Sequence, residues 1–135
     1  MTRLETPFVR QRGLIIIEGL LAGPRGTSSG RFVLDTGAVM TTMTPEFADL
    51  LGYSARDGIQ RTRVRSAIGS EEGYVVAVTE FTALLCPRPR FHVQVFDLGY
   101  DDIDGLIGLN FLDELNYDVR SAEHRILVEQ IEPTA

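Results

Sequence analysis

The sequence predicts an all-β domain with one or two short helices, and three observations carry that prediction. Short apolar stretches alternate with turn residues along most of the chain. Helix punctuation is confined to two segments, "TPEFADLLGY" and "DGLIGLNFLDEL". With 135 residues, 44% of them hydrophobic, and a mean hydropathy near zero, the chain fits a single domain, residues 1–135, with one sizeable core. There is no internal repeat, linker or low-complexity tract.

Taken in order, "GLIIIEGLLAG" and "GRFVLDTG" read as two strands. Between them "GPRGTSSG" reads as a turn-rich loop, longer than a two-residue hairpin. Thr44 then caps a short helix, with Pro45 at its first position, Glu46 favouring its N-terminus and Gly52 stopping it. "IQRTRVRSAIGSEEGYVVAVTEFTALL" predicts a long hairpin with "AIGSEEG" as its tip. Arg61, Arg63 and Arg65 alternate along its first arm and so share one face. "RFHVQVFDL" is an alternating strand with Phe91, Val93 and Val95 on one side. In "DGLIGLNFLDEL", Gly108 lets a strand turn into a short helix, and "YDVRSAEHRILVEQI" closes the chain as a hairpin-like pair.

Composition excludes several functions. The net charge of −6 argues against wholesale binding of nucleic acid or an anionic membrane. All thirteen basic residues are arginine, which removes Schiff-base chemistry and a phosphate-loop lysine. A lone cysteine, Cys86, can make neither an intrachain disulfide nor a thiolate zinc cluster, and reads as a packed thiol. His92 and His124 have no neighbours at metal-ligand spacing, and no G-x-S-x-G elbow occurs. "DDIDG" lacks the first ligand and the closing glutamate of a calcium loop, so it reads as a turn. The N-terminal stretch lacks the order of a signal peptide, and "LIIIEGLLA" is too short to span a bilayer; the expected compartment is cytoplasmic.

What remains is one aspartate with threonine and glycine: Asp35-Thr36-Gly37-Ala38. By itself this tripeptide is weak. Its context is stronger: an apolar strand before it, a Thr-Pro-initiated helix and a glycine-tipped hairpin after it. Leu106-Ile107-Gly108 then opens a short helix containing Asn110.

That order, over residues 13 to 130, resembles the retropepsin-like (retroviral-type) aspartic proteases, single-domain relatives of pepsin. The resemblance implies a closed, β-barrel-like protomer that works as a homodimer, each copy giving one catalytic aspartate, here Asp35. It makes Thr36, Gly37 and Ala38 the loop supporting that dyad, with Thr36 locking the two loops across the axis. Leu106, Ile107 and Gly108 become the second apolar-glycine element beside it. Ala67, Ile68, Gly69, Ser70, Glu71, Glu72 and Gly73 fall where the family carries its flap, with Gly69 and Gly73 as flexible points. Family members interleave their chain ends across the two-fold axis, which residues 1–12 and 124–131 could do. The pattern departs at Val39, where retroviral members usually carry an acidic residue, while Thr41 and Thr42 fit it.

The sequence holds a single Asp-Thr-Gly, so a two-aspartate site needs two copies, and a two-fold interface is self-complementary. The expected activity is endopeptidase hydrolysis of a peptide or protein substrate, with no metal or cofactor. A non-catalytic module of the same fold, binding a peptide or protein partner, is the alternative. Proteolysis that survives Asp35→Asn would exclude the first reading.

Overall fold

Strands dominate, as the alternation predicts. The computed structural model describes residues 3–66 and 69–129. In chain order the elements are β1 (Arg3–Pro7), β2 (Val9–Gln11), β3 (Leu14–Gly23), β4 (Gly26–Leu34), β5 (Thr42–Met43) and α1 (Pro45–Leu51). They continue as β6 (Gln60–Ser66), β7 (Gly69–Ala83), β8 (Cys86–Val95), β9 (Gly105–Ile107), α2 (Leu109–Leu112), β10 (Asn116–Arg120) and β11 (Arg125–Glu129). One sheet of eight strands runs β2-β3-β4-β9-β5-β8-β7-β6, and an added β3–β7 pairing links it back into a ring of neighbours. A second sheet of three strands runs β1-β11-β10.

The core explains how β4 is held. Phe32 on β4 is fully buried and meets Phe47 and Phe81 edge-on, at ring separations of 5.9 and 5.6 Å. Phe81 continues the cluster to Phe91 and Phe111. Each such ring buries on the order of 150–250 Å² and each edge contact adds about 0.5–1.5 kcal/mol. Phe32 fits because two residues of the flanking strands, Gly19 and Gly105, lack side chains. A Cβ on Gly19 would lie 2.6 Å from the Phe32 ring, and one on Gly105 would overlap it and Thr42 O. The bulkiest core ring on β4 is thus threaded between glycines of β3 and β9.

Local signals settle α1. Thr44 Oγ1 accepts the Phe47 N–H, Pro45 occupies the first turn, and Gly52 closes the helix at φ 95°. Phe47, Ala48 and Leu51 face the core. On β8, Phe91, Val93 and Val95 are buried while His92 is exposed, as the period of two requires. Cys86 is half-buried; its thiol donates to Leu84 O, and burial raises its pKa although Arg88 opposes this.

Two expectations are corrected. The segment "GPRGTSSG" is no loop: β3 and β4 meet at Gly23 and Gly26 through the two residues Pro24 and Arg25. Thr27, Ser28 and Ser29 are strand residues because β3 is gripped on both sides, by β4 and by β7, over Gly19–Ala22. Ladder hydrogen bonds outweigh the turn propensity of small polar residues there.

The hairpin tip is also narrower than "AIGSEEG". Ser66 pairs with Gly69, so Gly69, Ser70, Glu71, Glu72 and Gly73 lie in β7. Ala67 and Ile68 fall outside the described residues.

At the chain ends, β11 is paired along both of its edges. It pairs with β1 on one side and β10 on the other within the same chain. Phe8 makes this possible: buried between β1 and β2, it donates its N–H to His124 O and stacks on the His124 ring at 5.3 Å.

Candidate active site

Topology makes the loop that carries Asp35. The chain leaves β4 at Leu34, which pairs in parallel with Ile107 of β9. It returns as β5 on the other side of β9, where Thr42 opposes Leu106. Residues 35–41 therefore straddle the end of β9 at the point where Gly108 starts α2.

Each end of that loop is pinned. Asp35 N–H donates to Ile107 O at 2.9 Å, extending the β4–β9 ladder by one bond. The Asp35 carboxylate Oδ1 accepts the Gly37 N–H at 3.0 Å, and Ala38 N–H returns to Asp35 O at 3.2 Å. This side-chain turn holds the carboxylate at the strand end, half-buried, beside exposed Thr36 and Gly37. At the far end the first amides of α2 serve the loop. Leu109 N–H donates to Ala38 O at 2.8 Å and Asn110 N–H to Val39 O at 3.0 Å. Helix-starting amides have no partner inside the helix, so the loop carbonyls satisfy them.

Gly108 is the close-approach residue. A Cβ there would stand 2.7 Å from Ala38 O and from Met40 C, and 2.8 Å from Met40 O. Its φ of −104° is ordinary, so glycine is required by space rather than by backbone conformation. Thr41, fully buried, donates through both its N–H and its hydroxyl to Asn110 Oδ1, at 2.7 and 2.8 Å. The same hydroxyl accepts Gly108 N–H at 3.1 Å, and Asn110 Nδ2 donates to His92 O at 3.0 Å. The sequence reading assigned no role to Asn110. An amide inside an otherwise apolar "LNFL" turn was the available signal.

The elements expected at the site thus fall into two groups. Asp35, Thr36, Gly37, Ala38, Leu106, Ile107 and Gly108 are brought together around the end of β9. The β6–β7 hairpin is an outer ribbon instead, since β6 pairs with β7 alone. Glu71 and Glu72 are exposed on it, opposite Val64 and Arg63, and Arg63 pairs with Glu72 at 3.1 Å. Gly73 sits in regular strand, where a Cβ would come within 2.5 Å of Val95 O, so its bareness serves packing against β8 rather than a hinge. Val39 is 72% exposed on the Asp35 loop.

A cavity of about 590 Å³ lies elsewhere, between Phe8, Ile16, Gly30, Arg31 and Asp104, and does not include Asp35. Among the described residues no group of three or more His, Cys, Asp or Glu side chains could hold a metal ion. No helix among them is long and apolar enough to cross a membrane.

Comparison with known proteins places the chain in a family and a fold. The sequence profile of the family described as "Aspartyl protease" matches residues 20–111, well over half of the chain, from β3 through α2. The chain belongs to the aspartyl protease family. The match takes in the Asp35 loop, the hairpin and the Leu106-Ile107-Gly108 element of this aspartyl protease chain. Among solved structures it is similar to a retropepsin-like aspartic protease from Rickettsia conorii, with a TM-score of 0.70 at 19% identity. That similarity covers 94% of this chain and 91% of the other, and shows that the fold is retropepsin-like. No curated protein matches the chain significantly. Family membership supports peptide hydrolysis as the general activity.

Proposed function

We propose that the chain is an aspartic endopeptidase whose active site is completed by two-fold pairing, Asp35 of each copy forming the dyad. The observation that carries this reading is the anchored Asp35 loop: one carboxylate, half-buried, set by the Gly37 N–H at the end of β4 and braced by the start of α2. The chain contains one Asp-Thr-Gly, so a second copy supplies the second carboxylate.

Two carboxylates a few ångströms apart cannot both ionise easily, and the pair keeps one proton over a range of pH. The charged member takes a proton from a bound water as that water attacks the substrate carbonyl. The protonated member gives its proton to the carbonyl oxygen, and the tetrahedral intermediate forms. Return of a proton to the leaving nitrogen breaks the peptide bond. Exposed Thr36 at the loop tip suits contact between the two copies, and the bare Gly37 backbone admits substrate. The β6–β7 hairpin, attached to the sheet along one side only, is the element suited to open for substrate and close over it as a flap. With β11 paired on both sides, the copies would meet through the Asp35 loop and the remaining strand edges, those of β1 and β10 among them.

A non-catalytic peptide-binding module is favoured by one observation, the exposed apolar Val39 where retroviral members usually carry an acidic anchor for the substrate backbone. Cleavage of a broad peptide library from pH 3 to 8, by wild type and Asp35→Asn at matched dimer content, separates the two. A bell-shaped profile lost in Asp35→Asn supports the peptidase; no cleavage, with peptide binding intact in both proteins, supports the module.

A further inference from the structure

The Asp35 carboxylate shares its sheet face with apolar residues that the main core does not use. Side chains alternate along β4 and its one-bond extension, so Arg31, Val33 and Asp35 point one way and Phe32 and Leu34 the other. Val33 pairs with Ile16 of β3 and with Leu106 of β9, and paired residues share a face. Ile16, Val33 and Ile103 form a second buried cluster there, flanked by half-buried Leu14 and Leu106. Continuing the β3–β4 register brings Leu14 opposite Asp35.

A polar chain crosses this cluster. Arg31 stands opposite Glu18 in the register, yet its guanidinium reaches across β3 and donates to Gln11 Oε1 on β2. Gln11 Nε2 in turn donates to the Asp102 carboxylate, in the segment before β9. Gln11 pairs with Leu14 and so lies on the same face. Its amide is the middle of the clasp, accepting on one side and donating on the other. The clasp divides the face into two cavities. The one on the Leu14 side, about 200 Å³, is lined by Gln11, Leu14, Ile16, Tyr100, Asp102 and Ile103. The other is the cavity of about 590 Å³, which begins at Arg31, and Ile16 borders both.

We propose that the Arg31–Gln11–Asp102 clasp is a specificity determinant of the peptidase site: it keeps the compartment beside Asp35 small, so that substrates carry an aliphatic side chain or a single aromatic ring next to the scissile bond. The assignment rests on the aspartic peptidase reading and deepens it by naming the substrate class. A peptide whose carbonyl sits at Asp35 lays the neighbouring side chain over Leu14 and Leu106, at the mouth of the smaller cavity. A cavity of about 150 Å³ holds a benzene ring and an indole is about half as large again, so about 200 Å³ admits leucine or phenylalanine and turns tryptophan away. Without the Gln11 amide the link between Arg31 and Asp102 is lost, and the two compartments join over Ile16. Two-fold pairing sets the same wall on either side of the scissile bond, so the preference applies to both flanking residues.

The test measures kcat/KM for peptides identical except at the residue flanking the scissile bond, which is leucine, phenylalanine or tryptophan. Wild type, Gln11→Ala, Asp102→Ala and the double variant are compared at matched dimer content. The wild type is expected to cleave the tryptophan peptide at least about tenfold less efficiently than the leucine peptide, the scale on which pocket size discriminates. Either single variant should raise the tryptophan-to-leucine ratio by about tenfold, and the double variant no further, since each breaks the same clasp. A wild type indifferent to the indole, or ratios unchanged in the folded variants, would overturn the assignment.

Indole itself gives a readout independent of cleavage. Followed through the methyl NMR signals of Ile16, Val33 and Ile103, its titration should shift those of Gln11→Ala and leave the wild type unmoved. Equal responses in the two proteins would overturn the partition. If the wild type cleaves no peptide, the peptidase reading falls and the substrate preference with it, while indole binding still decides the partition. If Gln11→Ala does not fold, Asp102→Ala carries both measurements.

Discussion

The Asp35 loop and the β6–β7 hairpin both extend the same sheet, yet they are held in opposite ways. Residues 35–41 are clamped from three directions, by Ile107 O, by the first amides of α2 and by the Asn110 side chain. Among the described residues the hairpin leaves the sheet edge with β7 as the sole strand neighbour of β6, and its side-chain links are an exposed ion pair, Arg63 to Glu72, and a bond from Gln94 Nε2 on β8 to Thr62 Oγ1 at 3.1 Å. On the proposed reading, the contrast is that of a preorganised reacting group and a cover that has to move. Stiffness is then concentrated where an ångström matters, and the proposed flap draws on the less supported part of the fold.

Substitutions can break or sharpen that contrast. The largest effect is expected at the carboxylate itself. Asp35→Asn should lower kcat by at least about a thousandfold with the fold intact, read by peptide hydrolysis alongside circular dichroism. Next is the clamp. Gly108→Ala pushes a methyl onto the Ala38 and Met40 backbone, which cannot yield without moving the loop. A cost of about 1–3 kcal/mol is expected in urea unfolding, together with loss of activity in whatever remains folded. If the variant unfolds like the wild type, the loop is not clamped as described.

At the base of the hairpin, Gly73→Ala brings a Cβ against Val95 O and the Thr62 hydroxyl. Roughly 1 kcal/mol is expected there, with a larger change in KM than in kcat, because the cover shifts and the carboxylate does not. The smallest effect is Arg63→Gln. Its ion pair has side-chain exposures of 56% and 70%, so stability should change by less than about 0.5 kcal/mol and by less still at high salt. A large loss there would show that the hairpin is a rigid part of the core after all.

Legibility in the sequence followed the range of the interactions. The α1 boundaries were readable because Thr44, Pro45 and Gly52 act on their own backbone neighbours. Asp35 and the Leu106-Ile107-Gly108 element were readable as motifs; the family match spans both, and the fold brings them together around β9. The segment around Thr27–Ser29 misled because its residues favour turns locally, while β3, paired on both sides, recruits them into the sheet. Thr41 with Asn110 was invisible as a pair, since the two lie 69 positions apart and neither alone forms a motif.

The sequence by itself determined the strand-rich class, the capped helix, the absence of lysine chemistry and the identity of the one Asp-Thr-Gly aspartate. Each of these is a matter of composition, of side-chain period or of a residue acting on its own turn. Only the tertiary structure decided that β9 runs between the two halves of the Asp35 loop, that Gly108 must be bare to let them pass, and that β1 and β10 close both edges of β11. Those are properties of which strands meet, and strand partners distant in the chain are chosen by the packing of Phe32, Phe81 and Phe111 in a shared core rather than by any local preference.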